Sequence, residues 1–394
     1  MKRTLLFPLT LFIFFCNARA QEGWTLLNST LTYAVWDVYF LDDQHGFACG
    51  LNSTILATED GGDTWTVRAQ VPNGPGLRDI AFATDQVGFI GGVNGNTART
   101  TDGGTTWTYA NIGHPIGAKE VQFVTDAIGY MGGSADSLYK TTDAGLTWNA
   151  LPVALDNVLT MQFFSESEGW LNGSEDSEVL HTVDGGSTYD VISCGGTHFD
   201  IGGIAFPGNG AIGYAATTDS IYRTTDHGQT WSPLYTAVIQ PTDIFFLSPD
   251  TGIVVGNFGM AAVTTDGIHF TAYEFPEMLS IRGCWITPSG VAFVCGSDGH
   301  IYRKELGSIA TGVTVGTSDE ADFRVSSADG RTEFFLSAAT MDRSLTVLDA
   351  SGRMVHQERA NGTHLVWDAP LAPGIYIAVV QDAAVRHARR FLVR

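Results

Sequence analysis

The sequence predicts an all-β protein: a seven-bladed β-propeller with an N-terminal closing strand, followed by a small C-terminal Ig-like β-sandwich. Three observations support this fold class. The 394 residues include 46 glycines and only 16% charged residues, which is typical of short strands joined by tight turns. A short box recurs with a period of about 41 residues. Beyond residue 306 the box is absent and a different strand pattern begins.

The N-terminus has the three parts of a secretory signal. Lys2 and Arg3 are basic, residues 5–15 are apolar, and residues 18–20 (Ala-Arg-Ala) form a small-x-small cleavage site. The apolar run is too short for a membrane anchor. We therefore expect a signal peptide over residues 1–20, cleavage before Gln21, no transmembrane segment afterwards, and a secreted protein or one at the outer-membrane surface.

The repeated box reads TEDGGDTW at 58–65 and returns in five variants, the last of them shortened to TTDGIHF at 264–270. Its aspartates are Asp60, Asp102, Asp143, Asp184, Asp226 and Asp266, and its closing aromatic residues are Trp65, Trp107, Trp148, Tyr189 and Trp231. An Asp side chain can accept hydrogen bonds from backbone N–H groups of its own turn, glycine permits a positive φ, and the aromatic ring can pack on the blade. We therefore interpret the box as a structural element and not as a row of catalytic acids.

Two more signals keep the phase of the box. An aromatic residue ends each inner strand, and a glycine opens the second strand; the aromatic residues are Phe40, Phe82, Phe123, Phe163, Phe206 and Phe246. A seventh unit begins at residue 281, with Trp285 in the aromatic position, but it has no box and no fourth strand. Residues 23–27 resemble the missing strand, so the N-terminus is predicted to close the ring and residues 21–306 to form seven blades.

These boxes resemble the sialidase-type (BNR) repeat superfamily. The Gly-aromatic strand that leads into TTDGGxTW looks most like the photosystem II stability/assembly factor family of propellers. The resemblance covers residues 21–306 and implies the fold, whereas one fold hosts many activities.

The C-terminal region divides into a linker at 307–318 and a β-domain at 319–394. Asp-x-x-Gly-Arg at 349–353, Leu-x-x-Gly-Ile-Tyr at 371–376 and a basic-apolar end at 389–394 resemble the C-terminal sorting domain of the type IX secretion system of Bacteroidetes. The resemblance implies that the type IX machinery is a partner. The alternative is an ordinary Ig-like accessory domain.

The charge of the chain excludes some partners. The formal net charge is −21, and residues 21–312 hold 9 Lys and Arg against 32 Asp and Glu. Such a body repels nucleic acid, so we expect no nucleic-acid partner. Cys49 and Cys295 occupy equivalent positions in their repeats, and whether they form a disulfide stays open.

No residues stand out as catalytic, and we expect no cofactor and no metal. A sialidase-like or other glycoside hydrolase is the alternative function, but the propeller has six arginines and no motif that marks such a site. The histidines, among them His181 and His227, are scattered without ligand spacing.

We favour a non-catalytic binding scaffold with a glycan or protein ligand. Loops that enter the inner strands gather around the channel of a propeller, and they include residues 73–78, residues 114–119, Asp156, residues 198–200, residues 240–242 and residues 277–282. Arg78 and Lys119 both lie four residues before their inner-strand phenylalanine, and with Arg282 they are the candidate ligand-binding residues. The alternative is that these are solvated charges on the rim.

Overall fold

The structure is a computed structural model of the full chain. It describes residues 19–20, 23–134, 138–151, 157–172, 178–193, 201–208, 210–218, 220–236 and 240–306, together with the C-terminal strands given below. Among these residues no helix has the length and apolarity that a bilayer crossing needs.

Seven antiparallel sheets of the propeller follow one another along the chain. Two short strands come first, β1 (Arg19–Ala20) and β2 (Thr25–Leu27). Blade 1 holds β3 (Val35–Phe40), β4 (Gly46–Gly50), β5 (Ile55–Thr58) and β6 (Thr66–Ala69); blade 2 holds β7 (Leu77–Phe82), β8 (Gly88–Gly92), β9 (Asn96–Thr100) and β10 (Thr108–Asn111). Blade 3 holds β11 (Gly117–Phe123), β12 (Gly129–Ser134), β13 (Leu138–Thr141) and β14 (Asn149–Leu151); blade 4 holds β15 (Thr160–Phe163), β16 (Gly169–Asn172), β17 (Glu178–Thr182) and β18 (Asp190–Ser193). Blade 5 holds β19 (Ile201–Ala205), β20 (Gly213–Thr217), β21 (Ser220–Thr224) and β22 (Ser232–Thr236); blade 6 holds β23 (Pro241–Phe246), β24 (Gly252–Gly256), β25 (Met260–Thr264) and β26 (Phe270–Glu274). Blade 7 holds β27 (Ile281–Ile286), β28 (Val291–Gly296) and β29 (Ile301–Glu305). Short 3-10 turns occupy Leu51–Ser53, Val93–Gly95 and Ser297–Gly299.

The N-terminal strand closes the ring, as the sequence predicts. Strand β2 pairs antiparallel with β29, with Thr25 opposite Arg303 and Leu27 opposite Ile301. Trp24 is buried beside the rings of Tyr273 and Phe275, at centroid distances of 5.9 and 5.3 Å. This pairing gives blade 7 its fourth strand. Strand β1 adds to the outer edge of blade 6, parallel to β26.

The Asp boxes are the turns between the third and fourth strands, and their aspartates accept hydrogen bonds within the same turn. In blade 2, Thr106 donates to Asp102 from its backbone N–H (2.9 Å to Oδ1) and from its hydroxyl (2.6 Å to Oδ2). The hydroxyl of Thr100 donates to Oδ1 of the same aspartate at 2.8 Å. The boxes at Asp60, Asp143, Asp184 and Asp226 repeat these bonds. The carboxylates are therefore used within their own turns.

The core lies between neighbouring blades. A glycine of the Asp box in blade 2 is required there because an aromatic side chain of the preceding blade packs directly against it, in addition to its positive φ. Gly104 has φ +81, and a Cβ on it would lie 2.3 Å from Cζ of Phe47 in the preceding blade. Trp107, at the end of the same box, packs against Phe47 and Phe82 at centroid distances of 5.9 and 6.0 Å. The box thus fits the aromatic side chain of one blade into the turn of the next.

One assignment within the seventh unit was wrong. Ile286, and not Trp285, is the counterpart of Phe40, because each pairs with the residue just before the phenylalanine of the second strand (Ile286 with Ala292, Phe40 with Gly46). A shift of one residue moves a side chain to the other face of a strand. Trp285 accordingly lines the channel, where its ring packs against that of Phe245 at a centroid distance of 4.3 Å.

The C-terminal region forms two antiparallel sheets in the described residues. Its strands are β30 (Phe323–Ala328), β31 (Arg331–Leu336), β32 (Arg343–Asp349), β33 (Met354–Ala360), β34 (His364–Trp367), β35 (Gly374–Gln381) and β36 (Arg386–Val393). They pair in the orders β30-β31-β34 and β33-β32-β35-β36. The predicted linker at 307–318 lies outside the described residues, and the Ig-like sandwich stays a prediction.

Candidate functional site

A bulge at the start of most inner strands turns one residue per blade into the mouth of the channel. The pairing register shifts by one residue around Trp36, Arg78, Lys119, Gly202, Thr242 and Arg282. A bulged residue leaves the ladder and its side chain is re-aimed. Blades 7, 1, 2 and 3 contribute Arg282, Trp36, Arg78 and Lys119, which we call the cationic mouth. The other blades contribute uncharged residues, so the positive charge lies on one side of the channel.

The cationic mouth brings all three sequence-predicted ligand-binding residues onto one cavity of about 520 Å³. The guanidinium carbons of Arg78 and Arg282 each lie 4.8 Å from the centroid of the Trp36 ring, which is a cation–π distance. Burial lowers the pKa of Arg78, Lys119 and Arg282, and the neighbouring cations lower those of Arg78 and Lys119 further. The three cations are therefore close enough to repel one another.

Donors at the mouth lack acceptors. Arg78 Nε and Trp36 Nε1 are buried and have no hydrogen-bond partner among the residues that the structure describes. A buried donor without an acceptor costs about 1–3 kcal/mol. A carboxylate bound among the three cations would offset the repulsion between them.

One residue further along the inner strands lies a set of carboxylic acids, Asp37, Asp79, Glu120 and Asp243, which we call the acidic ring. Each reaches the backbone of the next blade: Asp37 accepts from Ile80 N (2.9 Å), Asp79 from Val121 N (2.5 Å), Glu120 from Met161 N (2.7 Å) and Asp243 from Cys284 N (2.8 Å). Thr160 does the same for Ile204 N at 3.0 Å.

Two blades have a glycine in place of an acid, and acids of the ring supply the hydrogen-bond acceptors that these glycines lack. Blades 5 and 7 carry Gly203 and Gly283 at the ring position, so neither can reach the next blade. The N–H groups left over, on Ile244 and Val38, are accepted by the second oxygens of Asp243 and Asp37, both at 2.7 Å. Each blade therefore has an inner-strand N–H bonded to a side chain at this level. We conclude that the acidic ring holds neighbouring blades together.

Burial in the channel disfavours the ionised form of these acids. Burial raises the pKa of Glu120 to about 8 and that of Asp243 to about 6, although backbone hydrogen bonds oppose the change. Burial, with the neighbouring acids adding to it, raises the pKa of Asp37 and Asp79 well above the ordinary value. The acidic ring thus carries less negative charge than its composition suggests.

The three cations were named as candidates from the sequence but the acidic ring was not identified, although its residues also recur at a fixed spacing. Its members lie three residues before Phe40, Phe82, Phe123 and Phe246, as regularly as Arg78 and Lys119 lie four before. Among the other candidate loops, Thr242 lines the cavity. Asp156 and residues 198–200 lie outside the described residues.

Two further predictions about side chains can now be compared with the structure. Cys49 and Cys295 are buried, free thiols. The histidines are not all scattered: His181 and His227 come from different blades, yet both lie against the carboxylate of Glu168.

Comparison with known proteins agrees with the repeat pattern. The family model described as "Photosynthesis system II assembly factor YCF48" matches residues 16–76 and 116–242. The photosystem II assembly protein Ycf48 of Thermosynechococcus vestitus is 38% identical over 48 residues, which is 12% of this chain and 14% of that protein. The matched stretch is thus about one seventh of the length of this curated relative.

Solved propellers resemble the fold as a whole. YCF48 bound to a D1 peptide aligns with TM-score 0.60 and 20% identity over 74% of this chain and 97% of that one. YCF48 from Cyanidioschyzon merolae gives 0.58 and 17% over 72% and 98%, and the WD40 propeller domain of Doa1 gives 0.57 and 15% over 72% and 96%. At these identities the likeness shows the fold alone. The chain is therefore a seven-bladed propeller whose repeats match the YCF48 family model over parts of its length.

Proposed function

We propose that this chain is a non-catalytic binding scaffold that holds an extended polypeptide by a carboxylate at the cationic mouth. The observation that carries the proposal is the cluster of Arg78, Lys119 and Arg282 around Trp36, at the opening of a cavity in an otherwise acidic propeller. A terminal or side-chain carboxylate pairs with the clustered cations, and Trp36 offers a flat apolar surface to the adjoining residue. The structure of YCF48 with a D1 peptide supports a peptide as the class of ligand, since that propeller has the same fold.

Peptide binding tests this proposal directly. Fluorescein-labelled acidic decapeptides with a free or an amidated C-terminus are titrated with the purified chain, and anisotropy is read at low and moderate salt. We expect Arg78→Ala and Arg282→Ala to weaken binding at least tenfold and salt to weaken it further. Arg68→Ala is the matched control, because Arg68 pairs with Glu59 on an outer strand away from the cavity. Absence of binding, or equal losses in all three variants, would refute the proposal.

We further propose that the scaffold is exported by the type IX pathway through residues 319–394 and works outside the cell or at the outer-membrane surface. The signal-like N-terminus and the motifs at 349–353 and 371–376 support this proposal. Deletion of residues 319–394 should leave the protein in the periplasm, where fractionation and immunoblotting would detect it. Normal release of the truncated chain would contradict the sorting role.

The alternative of a glycoside hydrolase draws on one observation. Carboxyl groups with raised pKa, Glu120 among them, lie beneath arginines, as general acids often do. Against it, Glu120 and its neighbours in the acidic ring already accept backbone hydrogen bonds from the next blade. Incubation with a glycan panel and mass spectrometry tests the alternative. Turnover that is lost in Glu120→Gln would establish it.

A further inference from the structure

A second cluster of polar side chains, two imidazoles and a carboxylate, lies between blades 4 and 5, at the end of the strands opposite the cationic mouth. Glu168 precedes β16, His181 lies on β17, and His227 lies in the Asp box of blade 5. We call these three residues the His–Glu–His cluster. Glu168 Oε1 is 3.1 Å from His181 Nε2 and 2.9 Å from His227 Nε2. We propose that the His–Glu–His cluster binds a single Zn²⁺ ion that joins blade 4 to blade 5.

The repeat itself provides the internal comparison for this proposal. His181 pairs with the aromatic residue of the second strand, and at this position blades 2, 3, 5 and 7 carry Arg99, Lys140, Arg223 and Arg303. Three of these cations cross to the next blade and donate to a turn carbonyl: Arg99 to Ala144 O, Lys140 to Glu166 O, and Arg303 to Gly61 O. Blade 4 places an imidazole where its neighbours use a long cation.

The other two members depart from the repeat at the same junction. The box position of His227 is glycine at 61, 103, 185 and 267 and alanine at 144. His227 has φ +61, a conformation that costs a side chain with a Cβ more than it costs glycine. Glu168 stands where blades 2, 3 and 5 have Val87, Ile128 and Ile212. All three residues thus differ from the repeat at the same junction between blades. Where other blades use a hydrogen bond from a cation to a carbonyl, this junction has three potential metal ligands.

The geometry suits a small transition-metal ion. The three donor atoms lie within 4.8 Å of one another. A tetrahedral zinc site with bonds of about 2.1 Å separates its ligand atoms by about 3.4 Å, so small side-chain rotations suffice. Two imidazole nitrogens and one carboxylate oxygen favour Zn²⁺ over Mg²⁺ or Ca²⁺, which prefer oxygen ligands alone. Side-chain exposures of 17% for His181, 35% for Glu168 and 37% for His227 leave the ion reachable, with a position open to water.

Packing fixes the two imidazoles in place before any ion arrives. The His181 ring stacks on Trp170 at 4.2 Å and 15°, and Trp170 is fully buried. The His227 ring lies 5.6 Å from Phe164. Oε1 of Glu168 lies within hydrogen-bond distance of Nε2 of both rings, so the three donor atoms already face one another.

Zinc titration of the untagged full chain, after removal of metal with a chelator, tests the proposal. We expect isothermal titration with ZnCl₂ alone to give one equivalent bound, and Co²⁺ to give the visible absorption of a tetrahedral site. His181→Gln and His227→Asn should weaken zinc binding at least tenfold; asparagine tolerates the left-handed conformation, so the second variant keeps the turn. Saturating zinc should raise the melting temperature of the wild type by several degrees and that of the variants by none.

His269→Asn is the matched control. His269 also lies in an Asp box and pairs with a carboxylate, Asp266, but it is 84% exposed and has no second histidine beside it in the clusters that the described residues form. Its loss should leave zinc binding unchanged. The proposal is wrong if no saturable one-to-one binding occurs, or if folded His181→Gln, judged by an unchanged circular dichroism spectrum, binds zinc as the wild type does.

Discussion

Glu120 offers a test of the acidic ring through the pH dependence of stability. Its pKa is raised from 4.5 to about 8 in the folded protein. Between these two values the folded chain holds a proton that the unfolded chain releases, so the free energy of unfolding falls as pH rises through this window. Below pH 4.5 both states are protonated and the cost of burying the charge disappears.

The size of the effect follows from that shift. A change of about 3.5 pKa units corresponds to about 5 kcal/mol as an upper bound. Because Glu120 is half-buried and lines a solvent-containing cavity, solvent screening reduces this to about 2 kcal/mol. Glu120→Gln keeps an oxygen for Met161 N and removes the titration. We therefore expect the variant to match the wild type near pH 5 and to be more stable at pH 9 by about 2 kcal/mol, or roughly 3 °C in melting temperature.

The assay is thermal unfolding of the full chain followed by tryptophan fluorescence at several pH values from 5 to 9. Glu305→Gln is the control, since it makes the same charge change at an exposed position at the end of β29. A constant difference between Glu120→Gln and wild type across the pH range would show that Glu120 does not titrate in this window. A variant less stable at pH 9 would show that the charged hydrogen bond outweighs desolvation.

Two further predictions concern how the blades are joined. Leu27→Ala should lower the free energy of unfolding by about 2–5 kcal/mol and Leu26→Ala by less than about 0.5 kcal/mol. Leu27 is buried in the closing strand, whereas Leu26 is 52% exposed. Chemical denaturation measures both effects, and equal effects would contradict ring closure by β2. Gly104→Ala should destabilise the chain far more than Gly113→Ala. The two glycines have similar φ values of +81 and +79, but a Cβ meets Phe47 only at the first and nothing within 4 Å at the second; equal melting temperatures of the two variants would show that Phe47 yields freely.

The phase of the repeat explains which parts of the molecule the sequence could predict. Features that recur at a fixed offset, such as the boxes, the closing strand and the cations at 78 and 119, keep their spatial relation because the blades share one pairing register. The acidic ring obeys the same rule and was predictable from its offset. The Trp285 assignment failed because a single residue decides which face of a strand a side chain takes.

The His–Glu–His cluster could not be read from the sequence in the same way. Its members stand at three different phases of the repeat, and they meet only because the third strand of blade 4 faces the box turn of blade 5. That contact depends on the packing of one blade against the next, which no local pattern encodes. Each residue taken alone was nevertheless unusual, since all three differ from the residue type most common at the equivalent position of the other repeats.

The partnership of β2 with β29 also fixes the order in which the chain can be completed. The two strands are joined by nearly the whole propeller, with Thr25 opposite Arg303. As the chain is synthesised, the first strand waits without a partner until the last blade has appeared, and contacts of such long sequence separation form slowly. A circular permutant that carries residues 23–27 after residue 306 would turn this distant pairing into a local hairpin, so it should refold faster to the same ring.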